Sequence, residues 1–216
     1  MNILFLDFDG VLNRDRTWRA MNKDPDLQHD PINHLDAELC SRVQEACDGA
    51  GIDAIVLSTS WRKRFALDEI KAWLAAKGLT IPIIGRTPFI HARPEFCQKM
   101  SDYDPMWSQI GRGMEIQWWL RRYRPDDAWR EDHIVILDDE RTMGSLNPWL
   151  IRCHPKYGFL PSQYAQFAKT LEKPLTKLEW VHDALRCHAL EHRPPLGPIT
   201  IEINPVMNAT GRTSSD

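Results

Sequence analysis

Apolar residues along this chain fall in short blocks that stop abruptly at polar ones. Ile3 to Leu6 runs into Asp7, Ala54 to Leu57 into Ser58, Thr59 and Ser60, and Ile134 to Leu137 into Asp138 and Asp139. Blocks this short, without polar alternation, fit strands buried on both faces of a sheet. Ile81 to Ile84 and Trp149 to Arg152 read as two further strands. Between the blocks the apolar period becomes helical. From Leu35 onward Leu39, Val43, Ala46 and Cys47 share one face, with Asn33 as the N-cap and Gly49 and Gly51 as the stop. Phe65 to Lys77 repeats that period through Leu67, Ile70 and Leu74, and Gly113 to Tyr123 forms another helix before Pro125. The stretches 163–172 and 176–190 are also helical in pattern. Residues 14–34 and 85–111 are polar, proline-containing and aperiodic, and are expected to be loop insertions.

Strands alternating with helices predict an α/β fold: a three-layer, Rossmann-like arrangement with a mainly parallel sheet. In such sheets ligands bind beyond the carboxyl ends of the strands. The polar residues that terminate the apolar blocks are therefore the first place to look for chemistry.

The densest signal is Asp7-Phe8-Asp9-Gly10-Val11-Leu12-Asn13, directly after the first strand. Two carboxylates at i and i+2 leave the strand on a loop that glycine allows to turn sharply. One can serve as nucleophile and the other as proton donor, with a divalent cation relieving their repulsion. A calcium loop fits poorly, because spaced oxygen ligands after Gly10 are absent. An Asx turn accounts for one aspartate but not for the polar ends of the other strands.

These residues resemble the haloacid dehalogenase-like (HAD) hydrolase superfamily, whose first motif is a strand followed by DxDx(T/V). Asp7, Asp9 and Val11 match it, Ser58 matches the Ser or Thr that ends the second-motif strand, and Asp138-Asp139 matches the paired acids of the fourth. Arg112, just ahead of Met114 to Leu120, is the choice for the basic residue of the third motif, with Lys99, Arg86 and Arg93 as competitors. The resemblance spans about residues 1–155. It implies a phosphatase with little or no cap domain, working through an aspartyl-phosphate. Asp7 would be the nucleophile and Asp9 the general acid and base. Mg²⁺ would be held by Asp7, the Asp9 backbone carbonyl, Asp138 and Asp139. Ser58 and Arg112 would bind the phosphoryl oxygens. The acid at Asp9 favours a phosphatase over a dehalogenase, which does not need it.

The phrases DFDGVLN, LSTSWR, GRGMEIQWWL and ILDDE are also similar to the HAD phosphatase modules of RNA-repair and polynucleotide-end phosphatases. That similarity implies a phosphorylated RNA or DNA end, or a nucleotide, as substrate. A small-metabolite phosphatase is the alternative, and a non-catalytic HAD-fold binding domain a more distant one. Gly10, Thr59, Trp61 and Arg62 are the candidate substrate contacts. The basic runs Trp61 to Arg64 and Trp118 to Arg124 are read as lying near the pocket, and Trp18, Trp61 and Trp107 as rimming an open site where bases stack. The opposing reading makes the two basic runs ordinary helix ends.

Composition narrows the field without changing it. The 216 residues carry a net charge of −3, which excludes a bulk DNA-coating protein but not a local grip on one phosphorylated end. The domain is expected over 1–192, with 193–216 as a proline-containing, loosely held tail holding one possible edge strand, Ile199 to Ile203. No apolar run is long enough for a signal peptide or a membrane span, so a cytoplasmic protein without a membrane partner is expected. Five cysteines without a CxxC pair imply reduced thiols and no disulfide-linked partner. A zinc site from His182, Cys187, His188 and His192 matches no standard spacing. His154 and Lys156, after the last strand, read as surface residues, with a place at the pocket lining as the alternative, and the oligomeric state is left open.

Overall fold

The computed structural model describes residues 1–24, 29–88, 111–123, 131–141 and 143–175. Five strands, β1 (Asn2–Leu6), β2 (Ala54–Leu57), β3 (Ile83–Arg86), β4 (His133–Asp138) and β5 (Leu150–Arg152), form one parallel sheet in the order β3-β2-β1-β4-β5. The helices are α1 (Asp15–Lys23), α2 (Ala37–Ala50), α3 (Leu67–Ala76), α4 (Gly111–Tyr123) and α5 (Tyr164–Leu171). This is the expected three-layer architecture.

Strand pleating divides the core in two. Leu4, Leu6, Ile55, Leu57, Val135 and Leu137 pack with Val43 and Cys47 of α2, Ile70 and Leu74 of α3, and Phe167 of α5. Their neighbours Ile3, Phe5, Val56, Ile134 and Ile136 point the other way, onto Ile116, Trp119 and Leu120 of α4. Strands β1, β2 and β4 thus bury both faces, which is why their sequences read as unbroken apolar blocks.

Several boundaries differ from expectation. The 14–34 insertion contains α1, a nine-residue, mostly polar helix; Asp15 in its first turn and Lys23 in its last favour the helix dipole. Helix α2 starts at Ala37, capped by Asp36, whose side chain accepts from the Glu38 amide at 3.0 Å. Asn33 is instead spent inside a 3₁₀ turn, Pro31–His34, that Asp30 caps. Strand β3 begins two residues later than read, because Pro82 has no N–H for the ladder, although its carbonyl accepts from the Ile55 amide. Trp149 closes a 3₁₀ helix, Gly144–Trp149, and leaves β5 three residues. Nearly all of 85–111, the helical pattern 176–190, the Ile199 to Ile203 strand, the 193–216 tail and the His182–His192 group lie outside the described residues.

Candidate active site

Register builds the site. Leu6 pairs with Leu57 of β2 on one side and with Leu137 of β4 on the other. Asp7, Ser58 and Asp138 therefore stand one step further on, level with one another across three adjacent strands. The Asp7 amide donates to the Leu137 carbonyl at 3.0 Å, and the Ser58 amide to the Leu6 carbonyl at 2.8 Å, which carries the ladder into the site. By the two-residue pleat all three side chains share the face of Phe5 and Val56, the face that α4 covers.

From the first turn of α4, Arg112 reaches down onto them. Its Nη1 lies 3.0 Å from Asp7 Oδ1 and 3.3 Å from Asp138 Oδ2, and it also donates to the Ser58 carbonyl. This approach requires glycine next door, since a Cβ on Gly113 would sit 2.2 Å from the Met143 carbonyl oxygen. Gly10 plays the same part on the other wall. Its φ is 72°, and a Cβ there would be 2.6 Å from Asp139 Oδ2.

Three acids converge here. Oxygens of Asp7, Asp138 and Asp139 all lie within 4.8 Å of one another. Asp7 Oδ1 and Asp138 Oδ2 face the Arg112 charge, yet neither has a hydrogen-bond partner among the described residues; nor does the Ser58 Oγ. Burial pushes the Asp7 carboxyl up to about 6 against the pull of Arg112. Burial, then the nearby Asp7 charge, raises Asp138, while burial followed by Glu140 raises Asp139. Arg112 is itself desolvated, but Asp7 and Asp138 more than offset this and hold it firmly charged. Buried anionic oxygens without donors are costly in a bare protein. The set is all hard oxygen, with no histidine or cysteine, which suits Mg²⁺.

Asp9 is placed differently. Its carboxylate is not one of the three clustered acids. Instead it accepts from Asn13 Nδ2 at 2.9 Å, from the Ser60 hydroxyl at 3.3 Å, and from the Trp61 indole N–H at 3.2 Å to each oxygen. Asn13 also takes the Gly10 amide at 2.8 Å, so the loop is held from within. Asn13, Ser60, Gly113 and Glu115 were not assigned roles from the sequence. Asn13 and Ser60 carried a signal, as the polar ends of DFDGVLN and of the block after Leu57.

The candidate substrate contacts look different in space. Thr59 is fully buried and caps the 3₁₀ helix Ser60–Lys63, accepting from the Trp61 amide at 3.3 Å. Arg62 is buried too. It pairs with Glu115 of α4 and donates to the carbonyls of Thr59, Thr87 and Pro88, so its donors face protein rather than the pocket. Trp61 is only 8 % exposed and packs on Phe8, Phe65 and Trp73, which removes it from the rim where stacking was expected. Trp119 is core, edge-on to Phe5. Arg121 and Arg122 lie at the far end of α4, some three turns or about 14 Å from Arg112, so that basic run is not at the pocket. Arg86 donates to the carbonyls of Arg62 and Phe65, away from the carboxylates. Arg93, Lys99 and Trp107 lie outside the described residues, as does the side chain of Trp18. His154 and Lys156 are exposed, as read.

Cys40, Cys47 and Cys153 are buried free thiols; burial pushes the first two up to about 12 and Cys153 higher still. No helix among the described residues is long and apolar enough to cross a membrane.

One family model matches residues 3–163, about three quarters of the chain: the HAD domain in Swiss Army Knife RNA repair proteins. No curated protein and no solved structure matches. The matched span contains every residue of the site just described, and the chain belongs to that family.

Proposed function

We propose that this HAD domain is a Mg²⁺-dependent phosphomonoesterase that removes phosphate from a nucleic-acid end or a nucleotide through an aspartyl-phosphate. The observation that carries the reading is the buried Asp7 carboxylate, its Oδ1 without a hydrogen bond and 3.0 Å from the Arg112 guanidinium. That places a buried carboxylate oxygen, the attacking group, beside the charge that a transferring phosphoryl group needs.

Asp7 would attack phosphorus in line with the departing oxygen. Asp9 would hand its proton to that oxygen, and then take one from the water that cleaves the acyl phosphate. Arg112 lies where negative charge gathers on the transferring phosphoryl group, and the unpartnered Ser58 hydroxyl is a donor for one of its oxygens. Asp7, Asp138 and Asp139 would hold Mg²⁺, with the Asp9 carbonyl as a further ligand. When bound, the ion supplies positive charge that lets these acids ionise together and offsets the charge of the phosphate.

The family's occurrence in RNA-repair proteins supports a nucleic-acid end over a metabolite. The test is a panel of 3′- and 5′-phosphorylated oligonucleotides, mononucleotides, sugar phosphates and a generic aryl phosphate, each with Mg²⁺ and with EDTA. Oligonucleotides should lead and EDTA should stop every reaction. Preference for sugar phosphates would establish the metabolite reading, and silence across the panel a non-catalytic domain.

A further inference from the structure

We infer that Trp61 is a positioning residue for Asp9, an inference that rests on Asp9 being the general acid of the proposed reaction. The indole N–H lies 3.2 Å from both Asp9 oxygens and so bridges the carboxylate from one side. Two properties separate this donor from Ser60, while the buried Asn13 shares them but reaches only one of the two oxygens, Asp9 Oδ1.

The first is rigidity. Trp61 is wedged among Phe8 at 5.4 Å, Phe65 at 5.8 Å, Trp73 at 6.4 Å and the His34 ring at 5.8 Å, so its N–H has one direction. The Ser60 hydroxyl has no comparable packing and rotates freely about its C–O bond. The second is chemistry. An indole N–H donates and cannot accept, whereas a hydroxyl can. A proton on Asp9 therefore finds no acceptor on the Trp61 side, and the carboxyl presents it on the remaining side, toward a leaving oxygen.

In the acid step the Asp9 O–H bond breaks and the leaving oxygen keeps the electron pair of the severed P–O bond as its new O–H forms. Trp61 gains and loses no proton. Its contribution is the orientation of Asp9, and misplacing a catalytic group by about 1 Å can cost about 100-fold in rate.

Proton donation matters most for leaving groups that are poor on their own, and this distinguishes positioning from packing. The test compares wild type with Trp61→Phe, which keeps an aromatic ring in the packing and loses the N–H with the rest of the five-membered ring. The readout is kcat/KM for a series of phosphate monoesters from dinitrophenyl to alkyl, in Mg²⁺. This ratio reports the first phosphoryl transfer alone. The expected result is a loss of about 10–30-fold for alkyl esters and under about 3-fold for dinitrophenyl phosphate. An equal loss for every ester, or none, overturns the proposal while leaving the phosphatase reading intact. Wild type inactive on the whole series overturns both.

A second measurement does not depend on how Trp61→Phe folds. In protein labelled with ¹⁵N at tryptophan, Asp9→Asn should move one indole N–H resonance upfield and speed its exchange with water. If all indole resonances stay in place, Trp61 does not hold Asp9.

Discussion

Two arginines enter the same buried corner of this molecule, and their surroundings differ in kind. Arg62 meets four acceptors within the protein: the Glu115 carboxylate and three backbone carbonyls. Arg112 meets Asp7 and Asp138, whose facing oxygens have no hydrogen bond among the described residues. The first arrangement is finished and joins the 3₁₀ helix after β2 to β3 and α4. The second is unfinished, and a buried polar group left unsatisfied costs about 1–3 kcal/mol. A fold tolerates that where the missing partners arrive with ligand and metal. Burial and charge alone do not separate the two arginines; the state of their partners does.

The largest effect should come from taking the unsatisfied side apart. Asp7→Asn is expected to lower aryl-phosphate turnover at least about 10³-fold, since it removes the nucleophile. It should not lower the melting temperature, because it replaces a buried anion with a neutral amide. Turnover within a few-fold of wild type would assign the nucleophile elsewhere.

Next, the two arginines should fail in opposite ways. Arg62→Met removes the buried ion pair with Glu115 and three hydrogen bonds to backbone carbonyls at once and should cost about 3–5 kcal/mol of stability, read by denaturant melts. Arg112→Met should cost activity, about 10²–10³-fold in kcat/KM, with a smaller change in stability, because the Asp7 and Asp138 carboxyls, already raised by burial, take up a proton once the charge is gone. Equal destabilisation by both would erase the distinction drawn here.

The Asp7 carboxyl supplies a pH signature. Its folded value of about 6 lies above that of an unfolded aspartate, near 3.9. Below both values each state is protonated. Between them the folded state binds the extra proton, so stability falls as pH rises through that window. Without metal, wild type should therefore lose of order 2 kcal/mol relative to Asp7→Asn between about pH 4 and pH 6.5. A difference that stays flat with pH would mean Asp7 is not desolvated.

The smallest effect tests the wall that aims Arg112. Gly113→Ala forces a Cβ to 2.2 Å from the Met143 carbonyl oxygen, so the start of α4 must shift. A cost of about 1–2 kcal/mol is expected, with an activity loss larger than that stability change explains. Wild-type kinetics would show that Arg112 tolerates displacement.

These contrasts also mark what sequence alone could reveal. Asp7, Ser58 and Asp138 were legible because a doubly buried parallel strand is an apolar block with a sharp polar end, and the sheet places those ends side by side. Arg112 needed the resemblance to a known motif, because a basic residue at a helix start has many bland explanations. Arg62 and Trp61 were misread for a shared reason. Trp-Arg-Lys-Arg looks like an exposed basic run, but the 3₁₀ turn folds Trp61 and Arg62 inward while Lys63 and Arg64 face out. Their partners, Asp9 and Glu115, are more than fifty positions away in the chain, beyond the reach of local pattern. Helix α1 went unseen because it is nine residues long and mostly polar, too short for a helical period to stand out from a loop.

The central claim is that Asp7 attacks phosphorus. It is tested most directly by quenching the Mg²⁺-loaded protein during turnover of a radiolabelled phosphomonoester and mapping the label. Hydroxylamine-labile phosphate is expected on the peptide that carries Asp7, and none on that of Asp7→Asn. Active protein with no trapped label at any quench time, or label on another residue, would contradict it.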